Sequence, residues 1–320
     1  MSTSGDSSRT VAVVGTGVIG ASWAALFLAR GCTVRAHDPA PGAADRLTES
    51  LRVAWPSLVA LGAAAEAEPP LQRLHWSDDV AGAVSDAVLV QESGPERVDL
   101  KQALVGEIDA HAPSRSVIAS SSSGLPPTVI AASCENQPER VLVGHPFHPA
   151  HLIPLVEVVG GEQTTEQAVA DAIAFYESVG KRPVHVRQEL PGHLANRLQA
   201  ALWREAYSLV ARGAATVADV DAAITNGPGL RWAVVGPFAG QHLSGGPGGI
   251  AHNLEHLGPP MVAWWDDMTT PEWTPGLTAR VAEQMSQEMD GTSSDELSAA
   301  RDRLVLGILA AKGLEPDLTT

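Results

Sequence analysis

From Thr10 to Ala29 the chain carries no charged side chain. A run of that length superficially suggests a membrane span, but Gly15, Gly17 and Gly20 interrupt it at turn positions. A β-rich run at Thr10–Val14, a tight turn and a helix reaching about Arg30 explain it better. Thr33–His37 reads as the next strand and ends in Asp38. Helical periodicity returns over Ala43–Leu61. Beyond the break at Pro69-Pro70, apolar runs at Leu74–Trp76, Ala87–Gln91, Ser116–Ala119, Val141–Val143, Val156–Val159 and Pro183–Val186 read as strands. Helical segments at Val98–His111, Pro127–Ser133 and Glu166–Val179 separate them. Such alternation predicts a mostly parallel, doubly wound sheet covered on both faces.

The pattern changes at Glu189-Leu190-Pro191-Gly192, after which no strand is evident. Leu194–Arg212 is strongly amphipathic, and Val217–Ile224 follows, with Thr216 and Asp219 spaced as a weakened capping box. Later helices are predicted near Ile250–Leu257, Leu277–Asp290 and Ser294–Lys312. The expected organisation is an α/β domain over residues 1–190 and an all-helical domain over residues 191–320.

Composition narrows the function classes. The 320 residues are 44% hydrophobic and 18% charged, ordinary for a globular protein. The net charge of −16, with lysine only at 101, 181 and 312, argues against nucleic acid or an anionic membrane surface as partner. Cys32 and Cys134 lie far apart and form no metal spacing, which suits two reduced thiols. Residues 1–10 are polar without a signal-peptide pattern, so a cytoplasmic protein is expected.

Gly15-Thr16-Gly17-Val18-Ile19-Gly20 sits between a strand and a helix, and an acid, Asp38, ends the next strand 23 residues after Gly15. This is the context a dinucleotide fingerprint requires. Gly15 allows the turn, Gly17 lets the backbone approach a pyrophosphate, and Gly20 lets helix and strand pack closely. The helix start at Val18 and Ile19 offers free N–H groups to the phosphates. Asp38 would bond the adenosine ribose hydroxyls and repel a 2′-phosphate, favouring NAD over NADP. The α/β part is therefore read as a Rossmann domain; a glycine-rich turn in another α/β fold is the plainer alternative.

The stretch His145–Gly161, HPFHPAHLIPLVEVVGG, carries three histidines and three prolines in its first ten residues. Prolines this dense exclude a helix, and the stretch reads as an irregular loop feeding a strand. Glu157 lies twelve residues after His145. If the chain turns back between them, the carboxylate can hold one ring nitrogen and raise the basicity of the other, making a general base for a hydroxyl proton. A metal site at His145, His148 and His151 is disfavoured, since only Glu157 offers a fourth ligand and the prolines scatter the side chains. ASSSSGL at Ala119–Leu125 follows a strand, where a hydroxyl could meet a reacting oxygen or merely shape a turn. Asn196 could bond a substrate carbonyl or cap the long helix.

The motifs GTGVIG, QESGPERVDLK, SSSSGL, GHPFHPAHLIPLVEVVGG, PGHLANRL and GPGLRWAVVGPF together resemble the 3-hydroxyacyl-CoA dehydrogenase superfamily over nearly the whole chain. The likeness is strongest to the branch of L-carnitine dehydrogenase and lambda-crystallin (L-gulonate 3-dehydrogenase). It implies an NAD-binding Rossmann domain, a helical domain that mediates homodimerisation, and a site in the cleft between. It also implies His145 and Glu157 as the proton-transfer pair, Ser123 and Asn196 as substrate-orienting residues, and Glu96 and Lys101 as residues approaching the cofactor.

The departures from that pattern are His148, His151 and His193. Each puts an imidazole near the expected cleft, a poorer host for a quaternary ammonium than an aromatic face. The first two are expected to bind or sort substrates. The segment PAPGAADRLTESLRVAWPSL lacks the basic bed a CoA tail wants. Arg231 could instead pair with a free carboxylate, or sit in an intradomain salt bridge. The expected activity is NAD-dependent interconversion of a non-thioester 3-hydroxy acid and its 3-oxo acid. A CoA-ester dehydrogenase, a ketoreductase for a polyketide-like 3-oxo acid, and a non-catalytic NAD-binding protein are the alternatives.

Overall fold

The computed structural model describes residues 9–313, and the chain falls into two compact units that divide between Arg197 and Leu198. The first begins with β1 (Thr10–Val14), α1 (Val18–Ala29), β2 (Thr33–His37) and α2 (Ala43–Ala60). It continues through β3 (Leu74–Trp76), α3 (Val80–Val84), β4 (Leu89–Glu92), α4 (Val98–His111) and β5 (Val117–Ser120). Then come α5 (Pro127–Ile130), β6 (Val141–Pro146), β7 (Leu155–Gly160), α6 (Glu166–Ser178) and β8 (Arg182–Val186).

The eight strands form one sheet in the order β3-β2-β1-β4-β5-β6-β7-β8, and every neighbouring pair is parallel except β6–β7. The doubly wound α/β expectation is met. Strands such as β1 and β6 are buried along almost their whole length, as a sheet covered on both faces requires. The order reverses between β1 and β4, so the connections leave in opposite directions and a crevice opens at the strand ends.

One packing layer fixes the position of β6. Trp23 stacks on Phe27 with ring centroids 5.2 Å apart, and Tyr176 lies 5.5 Å from Trp23. The Tyr176 hydroxyl crosses over Gly144 and donates to Gln91 Oε1 at 2.7 Å, while Gln91 Nε2 donates to the Gly144 carbonyl at 3.3 Å. A Cβ on Gly144 would collide with that hydroxyl. The glycine before His145 is thus a packing requirement of β6.

The second unit is helical: α7 (Ala195–Ala211) runs into it, followed by α8 (Val217–Thr225), α9 (Pro228–Trp232), α10 (Pro237–Ser244), α11 (Gly249–Asp267), α12 (Pro275–Met289) and α13 (Ser294–Gly313). Thr216 and Asp219 make the full reciprocal capping box of α8. The predicted helix at Ile250–Leu257 is longer than its pattern suggested, because α11 runs through Pro259 and Pro260. Few side chains of this unit are buried; Val210 and Leu277 are among them, whereas Trp232, Phe238, Trp264, Trp265 and Trp273 are exposed. Among the described residues no helix is long and apolar enough to cross a membrane.

Candidate active site

The crevice at the β1–β4 reversal holds a cavity of about 840 Å³. It is lined at the ends of three strands, by Gly15 and Gly17 after β1, by Asp38 after β2, and by Ser93, Gly94 and Lys101 beyond β4. Gly15 has φ +91°, and a Cβ there would meet the Ser93 carbonyl carbon at 2.6 Å. A Cβ on Gly20 would strike the Gly15 carbonyl, so α1 can approach β1 only with glycine at that point. A Cβ on Gly17 would meet nothing within 4 Å, which leaves its backbone open to a ligand at the start of α1. Val18 and Ile19 follow as the first helical residues. Asp38 takes the Thr16 N–H on Oδ2 at 2.7 Å and the Ala40 N–H on Oδ1 at 2.9 Å, which aims a fixed carboxylate at the cavity wall. The open backbone at Gly17, the uncapped helix start and the placed carboxylate fit the pyrophosphate and ribose of a dinucleotide.

A second set of groups surrounds His145. The stretch expected to be an irregular loop from His145 onward begins later: His145 and Pro146 are the last residues of β6, and the turn lies after them. The proline costs nothing there because it ends the strand. β6 and β7 are antiparallel with His145 directly opposite Glu157. His145 Nδ1 and Glu157 Oε2 are 2.8 Å apart, and both side chains are buried. Glu157 Oε1 accepts the N–H groups of Leu194 and Ala195, both at 2.8 Å. Burial alone would raise the Glu157 pKa, but the His145 bond, these two N–H groups and the attraction of the imidazole together hold it below the ordinary glutamate value.

The four serines divide their work. Ser120 Oγ donates to Glu92, and Ser121 bonds Gln91 and Ser93. Ser122 Oγ donates to Glu96 at 2.6 Å and accepts the Leu125 N–H at 2.9 Å, a turn-shaping role. Ser123 alone of the four is exposed. Its N–H and that of Gly124 donate to Glu96 Oε1, both at 3.0 Å, and Asn196 Nδ2 donates to the Ser123 carbonyl at 3.3 Å. Burial would raise the Glu96 pKa, yet the Ser122 hydroxyl, the Lys101 charge and the two backbone donors lower it. Lys101 is buried on Glu92 at 3.0 Å to both oxygens and stands 3.5 Å from Glu96. Glu96 therefore clamps the serine loop, while Lys101 is both its counter-charge and part of the cavity wall.

The other predicted site residues lie elsewhere. His151 Nδ1 is 2.7 Å from Ser22 Oγ on α1, and its N–H donates to the same oxygen. His148 and His151 line a separate cavity of about 410 Å³ with Val18, Arg46, Glu49 and Val53. The three histidines thus do not converge, and among the described residues no cluster is placed to hold a metal. Arg231 is exposed on α9 of the second unit. Sequence reasoning missed Glu92, the buried partner of Lys101, and the two N–H groups on Glu157. Nothing local marks either, because both partnerships arise from tertiary contact.

The profile of the 3-hydroxyacyl-CoA dehydrogenase NAD binding domain matches residues 10–190, and that of the 3-hydroxyacyl-CoA dehydrogenase C-terminal domain matches residues 192–273. An L-carnitine dehydrogenase of Streptomyces coelicolor is 50% identical over 311 residues, 97% of this chain and 97% of that protein. A 3-hydroxyacyl-CoA dehydrogenase of Gibberella moniliformis is 42% identical over 316 residues, 98% of this chain and 97% of that one. Among solved structures, FHMPC 5-dehydrogenase, an NAD+-dependent dismutase, aligns with a TM-score of 0.80 at 30% identity, covering 96% of this chain and 98% of that one. The resemblance to the 3-hydroxyacyl-CoA dehydrogenase family and to L-carnitine dehydrogenases is borne out.

Proposed function

Because this chain belongs to the 3-hydroxyacyl-CoA dehydrogenase family and is an NAD-dependent oxidoreductase acting on a CH–OH group, we propose that its substrate is a free 3-hydroxy acid, with L-carnitine first among the candidates and the 3-oxo acid as product. The observation that carries this reading is the buried His145–Glu157 pair at 2.8 Å. With Nδ1 committed to Glu157, His145 keeps Nε2 for the hydroxyl proton in oxidation and returns it to the carbonyl oxygen in reduction. Glu157 stabilises the imidazolium that forms. Ser123 and Asn196 orient the substrate oxygens. NAD, when bound, supplies the hydride acceptor. Gly15, Gly17, Val18 and Ile19 would hold its pyrophosphate, with Gly20 letting α1 pack on β1, Asp38 would hold its ribose, and Glu96 and Lys101 would stand towards it from the β4 side.

Two observations favour a free acid over a CoA ester, and one candidate residue would hold its carboxylate. The α2 helix carries no lysine, its Arg52 pairs with Glu49 at 3.4 Å, and its Arg46 donates to the Pro41 carbonyl. The free-acid relative at 50% identity is nearer than the CoA-named relative at 42%. Arg231 offers a planar guanidinium suited to a carboxylate. His148 and His151, beside the second cavity, sort substrates by their tails. The test is NADH formation across L-carnitine, L-gulonate, 3-hydroxybutyrate and its CoA ester. Turnover of the CoA ester alone would overturn the free-acid reading, and turnover of none would overturn the enzyme's assignment to 3-hydroxy acids.

The second unit is the proposed homodimerisation surface, supported by the exposed Trp232, Phe238, Trp264, Trp265 and Trp273. Sedimentation at two concentrations tests it. A cytoplasmic location is proposed with the free thiols of Cys32 and Cys134 as support.

A further inference from the structure

The turn that precedes α7 contains a residue with two unfavourable features. His193 has φ +50°, a left-handed backbone that non-glycine residues rarely adopt. Its Nδ1 is also buried without a hydrogen-bond partner among the described residues, in a residue only 1% exposed. Strained backbone and orphaned polar atoms concentrate where a site needs them.

What the residue touches is specific. His193 Nε2 donates to the Ser122 carbonyl at 3.1 Å. Its ring lies 5.3 Å from the His145 ring, tilted by 48°. The next two residues, Leu194 and Ala195, give their N–H groups to Glu157, and Asn196 reaches the Ser123 carbonyl. Burial lowers the proton affinity of His193, helped by the His145 imidazole and opposed by the Ser122 carbonyl and the Glu157 and Glu96 carboxylates. A neutral ring must place its single proton on Nε2 to meet the carbonyl, so Nδ1 keeps a buried lone pair.

We propose that His193 is a positioning residue that holds the Ser123 loop in register with the His145–Glu157 pair. The peptide between Ser122 and Ser123 is gripped at both ends, its carbonyl by His193 and its N–H by Glu96. The left-handed turn at His193 aims the following two N–H groups at Glu157. One residue therefore couples the hydroxyl that orients the substrate to the base that takes its proton. This inference rests on the proposed role of Ser123.

A double-mutant cycle tests it, since residues that act through one another are not additive. His193→Phe keeps a flat ring of similar bulk and removes the N–H donor. It is expected to lower kcat/KM for the 3-hydroxy acid about 10- to 100-fold through misplacement of the loop, with the Kd for NAD unchanged. Ser123→Ala should lose activity as well, and the double variant should be no worse than Ser123→Ala alone. His193→Gln, which restores an N–H donor, should recover part of the loss. If His193→Phe does not fold, His193→Gly, which tolerates the left-handed backbone and has no side-chain donor, carries the same cycle. Full activity in His193→Phe, or losses that multiply in the double variant, would overturn the inference alone. Unchanged activity in Ser123→Ala would remove the reading of Ser123 and this inference with it.

Discussion

His145 and Glu157 face each other across the β6–β7 ladder, with Nδ1 and Oε2 2.8 Å apart. The antiparallel register does this without help from a long loop, because directly opposed residues in such a pair put their side chains on the same face. The second Glu157 oxygen is occupied by the Leu194 and Ala195 N–H groups, so the carboxylate cannot rotate away from the imidazole without breaking three hydrogen bonds.

Removing the base should separate chemistry from binding. His145→Gln is expected to lower turnover about 10²- to 10⁴-fold, the range for a lost general base, while calorimetry shows NAD bound as in the parent. Glu157→Gln should lose less, since the imidazole remains. Retained turnover in His145→Gln would refute the assignment.

Arg231 is tested on the substrate rather than on the chemistry. Arg231→Ala and Arg231→Lys should both raise the KM for the acid, the lysine less so, because a bidentate guanidinium–carboxylate pair is lost in each. An unchanged KM in both variants would end its proposed role.

Gly144 makes a stability prediction that is independent of substrate. Gly144→Ala forces a Cβ against the Tyr176 hydroxyl, and overpacking of this kind costs about 1–3 kcal/mol. Thermal unfolding should show it. Adding Tyr176→Phe removes the clashing oxygen, so the double variant should unfold at a higher temperature than Gly144→Ala alone.

Lys181 predicts a pH dependence. It is buried, has no carboxylate partner among the described residues, donates to the Ala150 and Ile153 carbonyls and lies 4.8 Å from the Trp23 ring centroid. Burial pushes its pKa down to about 7. Between that value and the ordinary lysine value the unfolded chain binds more protons than the folded one, so this group's contribution to stability rises with pH across that window. The Tm of the parent minus that of Lys181→Met should rise as pH is raised above about 7. A gap that stays constant would count against a titrating Lys181.

Local pattern was enough for most elements of the first unit. The strands Thr10–Val14, Thr33–His37 and Leu74–Trp76 and the helix Val98–His111 stand where apolar runs and breakers put them. Misreadings came where long-range contacts decide. The strand β6 runs on through His145 and Pro146 because β7 pairs with it, although the prolines argue locally for a loop. The α11 helix passes two prolines for which pattern alone predicts an end. Short helices such as α3, α9 and α10 have too few turns to show a period.

What the amino-acid order determined by itself was the α/β alternation, the glycine fingerprint with its acid, and the twelve-residue spacing from His145 to Glu157. Those are properties of neighbours along the chain: period, turn chemistry and composition. Only the folded structure decided that His148 and His151 line a cavity beside α1 and α2 while His145 pairs with Glu157, that Ser122 shapes the turn while Ser123 is exposed, and that the Leu194 and Ala195 N–H groups close on Glu157. The reason is physical. A hydrogen bond between groups 37 or 38 residues apart is written in no local pattern, and it forms only after the sheet has brought the two segments together.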